Sequence, residues 1–167
     1  MDYSVASLPS GGVSLWEDNY GDLTNVLFGN QNSLALQVQL TADDGFTMKL
    51  YQFDLGGWSN ADYTIEAVRV LAGSTVLFSE GDILVEGNFT GPRRTSFDFS
   101  SPLTAGHLLI EIDYSNPAGG QQDNIGIDNI RFGQDPPATA APIPEPSTLL
   151  LLGAGGLALI ALKRRLH

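Results

Sequence analysis

From Ser33 to Leu40 the chain reads SLALQVQL. Leu34, Leu36, Val38 and Leu40 fall on one face and Ala35, Gln37 and Gln39 on the other. That is the period-2 alternation of a strand with one buried face. FTMKLYQFDL repeats it with Phe46, Met48 and Leu50, then changes phase to Phe53 and Leu55. One inserted residue flips a strand's faces, so a bulge is expected near Tyr51 and Gln52. HLLIEIDYS sets Leu108, Ile110, Ile112 and Tyr114 against His107, Glu111 and Asp113. Shorter apolar runs recur in DYTIEAVRVLAG, STVLFSE, DILVEGNF, TSFDFS and NIGIDNIRF. Between them lie ADDG, LGGWSNAD, LAGS, SEGD, FTGPRR, SSPLTAG and SNPAGGQQDN. Gly and Asn/Asp there supply positive φ, and Pro pre-sets φ for turns. No segment before Pro142 has helical periodicity. Eight or so short strands predict an all-β domain over residues 1–133, an antiparallel β-sandwich that is jelly-roll-like.

The alternation stops there. Gly133–Ser147 holds five of the nine prolines and no strand pattern. Residues 134–143 therefore read as an extended Pro/Ala-rich linker. Leu149–Leu162 then runs without a polar side chain, built on Leu149, Leu150, Leu151, Leu152, Leu157, Leu159, Ile160 and Leu162. As a helix it reaches roughly 21 Å, short of a ~30 Å hydrocarbon core. By length alone a buried core helix fits as well. Three features decide for a single C-terminal transmembrane helix: apolarity on every side, the linker before it, and Lys163, Arg164 and Arg165 directly after. Basic residues stay cytoplasmic, which places the body outside the cytoplasm.

PEPST, an apolar run with embedded glycines, then KRR: residues 144–167 closely resemble the PEP-CTERM sorting signal of Gram-negative bacteria. The resemblance implies recognition by an exosortase, a membrane-embedded transpeptidase-like enzyme. It also implies processing near Pro144, Glu145 and Pro146 and delivery to the cell surface or the exopolysaccharide matrix. The two prolines keep the backbone around Glu145 extended and out of the helix, as a protease-like groove would require. SLWEDNYGDLTNVLFG, DDGFTMKLYQFDLGGWSNADYTI and DNIGIDNIRFG look like jelly-roll ectodomains of the same group. Such proteins normally begin with a signal peptide. MDYSVASLPSGG shows neither the basic nor the apolar region of one.

The chain has no cysteine, which excludes thiol catalysis and Cys-type zinc sites. Before Pro142 five basic residues face 18 acidic ones, a net charge of −13. Such a body repels nucleic acid, so no nucleic-acid partner is expected. On a strand His107 and Glu111 lie roughly 13 Å apart, too far to share a metal ion. There is no nucleophile elbow, and no carboxylate pair is marked by an apolar run, so a non-catalytic domain is expected.

Asp128 shares parity with Ile130 and Phe132. It either caps a loop amide at a strand end or holds a structural calcium with Asp18, Asn19 or Asp22; no other cofactor is expected. Trp16, Tyr20, Trp58 and Tyr63 can stack on sugar rings, Trp58 best of all from the turn GGWSNAD; the alternative is a lid on one end of the core. The expected role is structural or adhesive, at the cell surface or in the matrix. The alternatives are a carbohydrate-binding module for extracellular polysaccharide and a membrane-anchored hydrolase.

Overall fold

The computed structural model describes residues 2–8, 12–29, 34–115 and 124–137. These form ten strands: β1 Asp2–Leu8, β2 Val13–Trp16, β3 Val26–Gly29, β4 Ala35–Thr41, β5 Thr47–Gly57, β6 Tyr63–Ala72, β7 Thr75–Val85, β8 Thr95–Ala105, β9 His107–Asp113 and β10 Ile125–Asp135. All pairings are antiparallel, in two five-stranded sheets ordered β1-β4-β9-β6-β7 and β2-β3-β10-β5-β8. Without the edge strands β1 and β2, the orders 4-9-6-7 and 3-10-5-8 are the double Greek-key winding of a jelly roll.

The alternating faces meet between the sheets. Leu36, Val38 and Leu40 of β4 and Leu108, Ile110 and Ile112 of β9 pack with Met48, Leu50, Phe53 and Leu55 of β5 in one core. The phase change in β5 is a bulge: its register with β8 shifts between Leu50 and Gln52, so that Leu50 and Phe53 both face inward.

Several segments differ from the expectation, each because a neighbouring strand supplies what the local sequence lacks. STVLFSE and DILVEGNF join in one strand, β7. The SEGD stretch continues the ladder against β6, with Asp82 in the left-handed region. SSPLTAG extends β8, where Pro102 is tolerated because β8 is an edge strand. Leu34 lies just outside β4 and is 47% exposed, while Ala35 is buried. β1, β2 and β3 have no clear alternation of their own and are held by pairing. β10 runs past Gly133, since Gln134 and Asp135 pair with Met48 and Thr47 and the Asp135 carboxylate meets Lys49 Nζ at 2.5 Å. Residues Met1–Pro136 form one compact unit. The rest of the expected linker and the segment 144–167 lie outside the described residues. Among the described residues no helix is long and apolar enough to cross a membrane.

A second, smaller apolar cluster forms on the outer face of the β5–β10 sheet. Tyr20, Leu23 and Val26 are buried there, with Phe28 packed against them. Gly56 of β5 and Gly126 of β10 pair directly beneath. A Cβ on Gly126 would sit 2.1 Å from Val26 Cγ1, and one on Gly56 2.6 Å from the Tyr20 carbonyl oxygen. The two glycines make a flat floor, and the β2–β3 loop, residues 17–25, is seated on it. Burying each large side chain of that loop contributes about 1.5–3 kcal/mol.

Candidate functional site

Three ties hold the β2–β3 loop at the surface. Asn60 donates its backbone N–H to the Asn19 carbonyl at 2.9 Å and its side-chain amide to Asn19 Oδ1 at 3.1 Å. Both asparagines occupy the left-handed region, which Asn tolerates better than most residues. Arg93 donates Nη2 to the Gly21 carbonyl at 2.7 Å. Arg94 lies 3.1 Å from Asp22 Oδ2 and 3.4 Å from Asp54 Oδ2. Asp54 is 1% exposed, the one charged residue buried among the described ones, and it also accepts from Asn129 Nδ2 at 2.8 Å. In sequence Asp54 reads as a solvent-facing position between Phe53 and Leu55. Only the loop folded across it makes it a buried anchor.

The seated loop walls a cleft of about 160 Å³ lined by Trp16, Tyr20, Phe28, Trp58 and Asn124. Trp16 comes from edge strand β2 and Phe28 from β3, with their rings edge-on at 6.5 Å. Tyr20 tilts against Phe28 at 6.0 Å and is buried. Trp16 and Trp58 remain 48% and 39% exposed, so the open aromatic faces belong to the tryptophans. Trp58 is fixed from behind: its N–H donates to the Asn124 carbonyl at 2.8 Å, and its own carbonyl accepts from the Tyr63 hydroxyl. The Asn124 amide reaches that hydroxyl at 2.9 Å. The cleft is thus aromatic, partly open, and carries one side-chain amide.

Asp62 anchors the turn that bears Trp58. It accepts the Gly87 and Asn88 backbone N–H groups at 2.9 and 3.1 Å and the Asn88 side-chain amide. The Gly87 N–H leads in holding its carboxyl below the ordinary value of 3.8. A carboxyl lowered on folding stabilises the fold above that ordinary value, and the contribution fades as pH falls through the lowered one. Asp62→Asn is therefore expected to lower the melting temperature most at neutral pH, where the contribution is present in full, and to converge on wild type as pH falls below about 4, flattening the acid limb. Thermal melts from pH 6 to pH 2 check this, and an acid limb as steep as wild type's would contradict it.

Outside the sandwich, residues 142–165 match the family model for the PEP-CTERM protein-sorting motif. The chain carries a PEP-CTERM sorting motif. No curated protein matches the chain. A solved structure described as "CBM4 structure and function" aligns over 80% of this chain and 86% of its own, at 10% identity and a TM-score of 0.41.

The PEP-CTERM motif takes in Pro144, Glu145, Pro146, the apolar run and Lys163, Arg164 and Arg165, all outside the described residues. Within the sandwich, three of the four aromatic residues singled out in the sequence, Trp16, Tyr20 and Trp58, line one cleft, and Tyr63 braces it from behind. Phe28 and Asn124 join it only through the β3–β10 pairing and the approach to β10. The possible calcium partners of Asp128 are otherwise engaged: Asp18 accepts from Asn19, and Asp22 pairs with Arg94. No group of three or more metal-ligating side chains occurs among the described residues. His107 stands exposed on the polar face of the β4–β9–β6 sheet. On that face Arg69 bridges Glu111 and Asp113 at 3.0 and 3.3 Å, and those carboxylates raise the affinity of its guanidinium for its proton.

Proposed function

We propose that the chain is exported, processed near Pro144–Pro146 by an exosortase, and delivered to the cell surface or the exopolysaccharide matrix, where the sandwich acts without catalysis. The match of residues 142–165 to the PEP-CTERM motif carries this reading. The charge distribution supports it: a body at −13 precedes an apolar run closed by three basic residues, the arrangement that holds the body outside the membrane. The mass of the mature protein tests it. In a host with an exosortase the recovered chain should lack Lys163–His167.

For the sandwich itself, the aromatic cleft favours carbohydrate binding over a purely structural role. Pockets that bind small ligands are mostly apolar with a few placed polar groups. Two open tryptophan faces and the Asn124 amide match the apolar face and the rim hydroxyls of a sugar ring. Trp58→Ala is expected to weaken binding of an extracellular oligosaccharide by about tenfold or more, the loss typical of a central aromatic contact. Its melting temperature should stay near wild type, because Trp58 is partly exposed. Glycan-array binding with tryptophan fluorescence as readout checks this. A panel of soluble glycans that leaves the fluorescence unchanged would overturn the carbohydrate reading and leave the sorting reading standing.

A further inference from the structure

The aromatic cleft and the point where the chain leaves the sandwich lie at opposite ends of one strand. Trp58 and Asn124 stand at the Ile125 end of β10, where Ile125 pairs with Gly57. The chain leaves at the other end, where Asp135 pairs with Thr47, and the PEP-CTERM motif follows at residues 142–165. β10 is 11 residues long, which at ~3.3 Å per residue separates the two ends by roughly 33 Å. Trp58 directly follows Gly57, the last residue of β5, so a pull on Trp58 is a pull on the end of β5. β5 runs antiparallel to β10 and is registered with it from Ile125↔Gly57 to Asp135↔Thr47.

We infer that the sandwich carries tension between a glycan held in the aromatic cleft and a tether on its C-terminal side, with β5 and β10 as the clamp. The inference rests on the proposed carbohydrate and sorting readings. A glycan drawing Trp58 outward while the C-terminal side is held slides β5 and β10 past each other along their length. Ladder hydrogen bonds lie perpendicular to antiparallel strands, so that pull loads them together, in shear. A cleft at the Asp135 end would instead part the ladder one rung at a time. Neither strand can slip off at a sheet edge, since β3 flanks β10 and β8 flanks β5. Side chains secure the exit end, where the load enters. Gln134 donates Nε2 to Asp43 Oδ2 at 2.6 Å and accepts the Asp43 backbone N–H at 3.0 Å, and Asp135 pairs with Lys49 at 2.5 Å. They keep β10 in its ladder up to the residue where the chain departs.

Single-molecule pulling on the full chain tests this. The chain has no cysteine, so paired cysteines give unique attachment points. Ser59→Cys with Thr139→Cys pulls along the inferred path, from the cleft end of β5 to the chain just past β10. Asp44→Cys with Thr139→Cys pulls the same two strands from their shared Thr47–Asp135 end and peels them. Ser59 and Asp44 are exposed turn positions, so both pairs should melt as wild type does. At one pulling speed the Ser59–Thr139 pair should unfold at about twice the force of the Asp44–Thr139 pair or more, because forced unfolding follows the barrier along the direction of pull. Equal forces, or a lower force for the Ser59–Thr139 pair, overturn the proposal. The measurement uses no glycan and no exosortase, so its failure is distinct from failure of the carbohydrate reading, which Trp58→Ala tests, and of the sorting reading, which the mature mass tests.

Discussion

Alanine at Pro144, Glu145 and Pro146 together should strand the full-length chain in the membrane of a host that has an exosortase. Wild type from the same host should be recovered shortened. The reason lies in backbone chemistry. Proline has no N–H and clashes with the preceding turn, so it stops a helix from propagating backward from the apolar run. Each proline replaced by alanine relieves about 3 kcal/mol of helix penalty. On the proposed reading of the apolar run as a membrane helix, the mutant segment would join it and lose the extended form that a protease-like groove would hold. The expected effect is near-complete loss of processing, read as intact mass in the membrane fraction. If wild type and triple mutant both keep Lys163–His167, the PEP-CTERM segment is a plain membrane anchor in this chain, and the sorting half of the proposed function fails.

Gly21→Ala should unseat the β2–β3 loop and with it the aromatic cleft. Gly21 has φ +66, in the region where a side chain costs about 1 kcal/mol. Its added Cβ would stand 1.6 Å from the Arg93 carbonyl oxygen and 2.7 Å from that carbonyl carbon. Both are backbone atoms, so no rotamer relieves the overlap and the loop must lift. Lifting breaks the Arg93–Gly21 hydrogen bond, pulls Asp22 from Arg94, and exposes Tyr20 and Leu23. A destabilisation of about 3 kcal/mol is expected, a melting shift on the order of 10 °C. Because Tyr20 walls the cleft, tryptophan emission should also shift to the red and oligosaccharide binding should fall with it. Gly91→Ala is the control, since nothing lies within 4 Å of its added Cβ. A Gly21→Ala protein that melts and binds like wild type would mean that the loop tolerates displacement and that the cleft does not depend on its seat.

Local pattern was enough for whatever depends on residues near in sequence. Period-2 alternation marked β4, β5 and β9, and the phase change at Tyr51–Gln52 marked the β5 bulge, because a strand's inward set is read directly from its own side chains. The PEP-CTERM motif was legible for the same reason: proline pair, apolar run and basic end follow one another along the chain. Trp16, Tyr20, Trp58 and Tyr63 stood out as aromatics able to stack on sugar rings, Trp58 best of all from its turn. Tertiary structure alone decided the rest. β1 to β3 are strands because β4 and β10 supply hydrogen-bonding partners, which no local signal announces. Gly56 and Gly126 lie far apart in sequence and become one floor by strand pairing. Asp54 occupies an outward position and is buried because a loop from another part of the chain folds over it. The aromatic cleft is of the same kind: its residues lie on or beside β2, β3, β5 and β10, and only the order β2-β3-β10-β5 within one sheet brings them together.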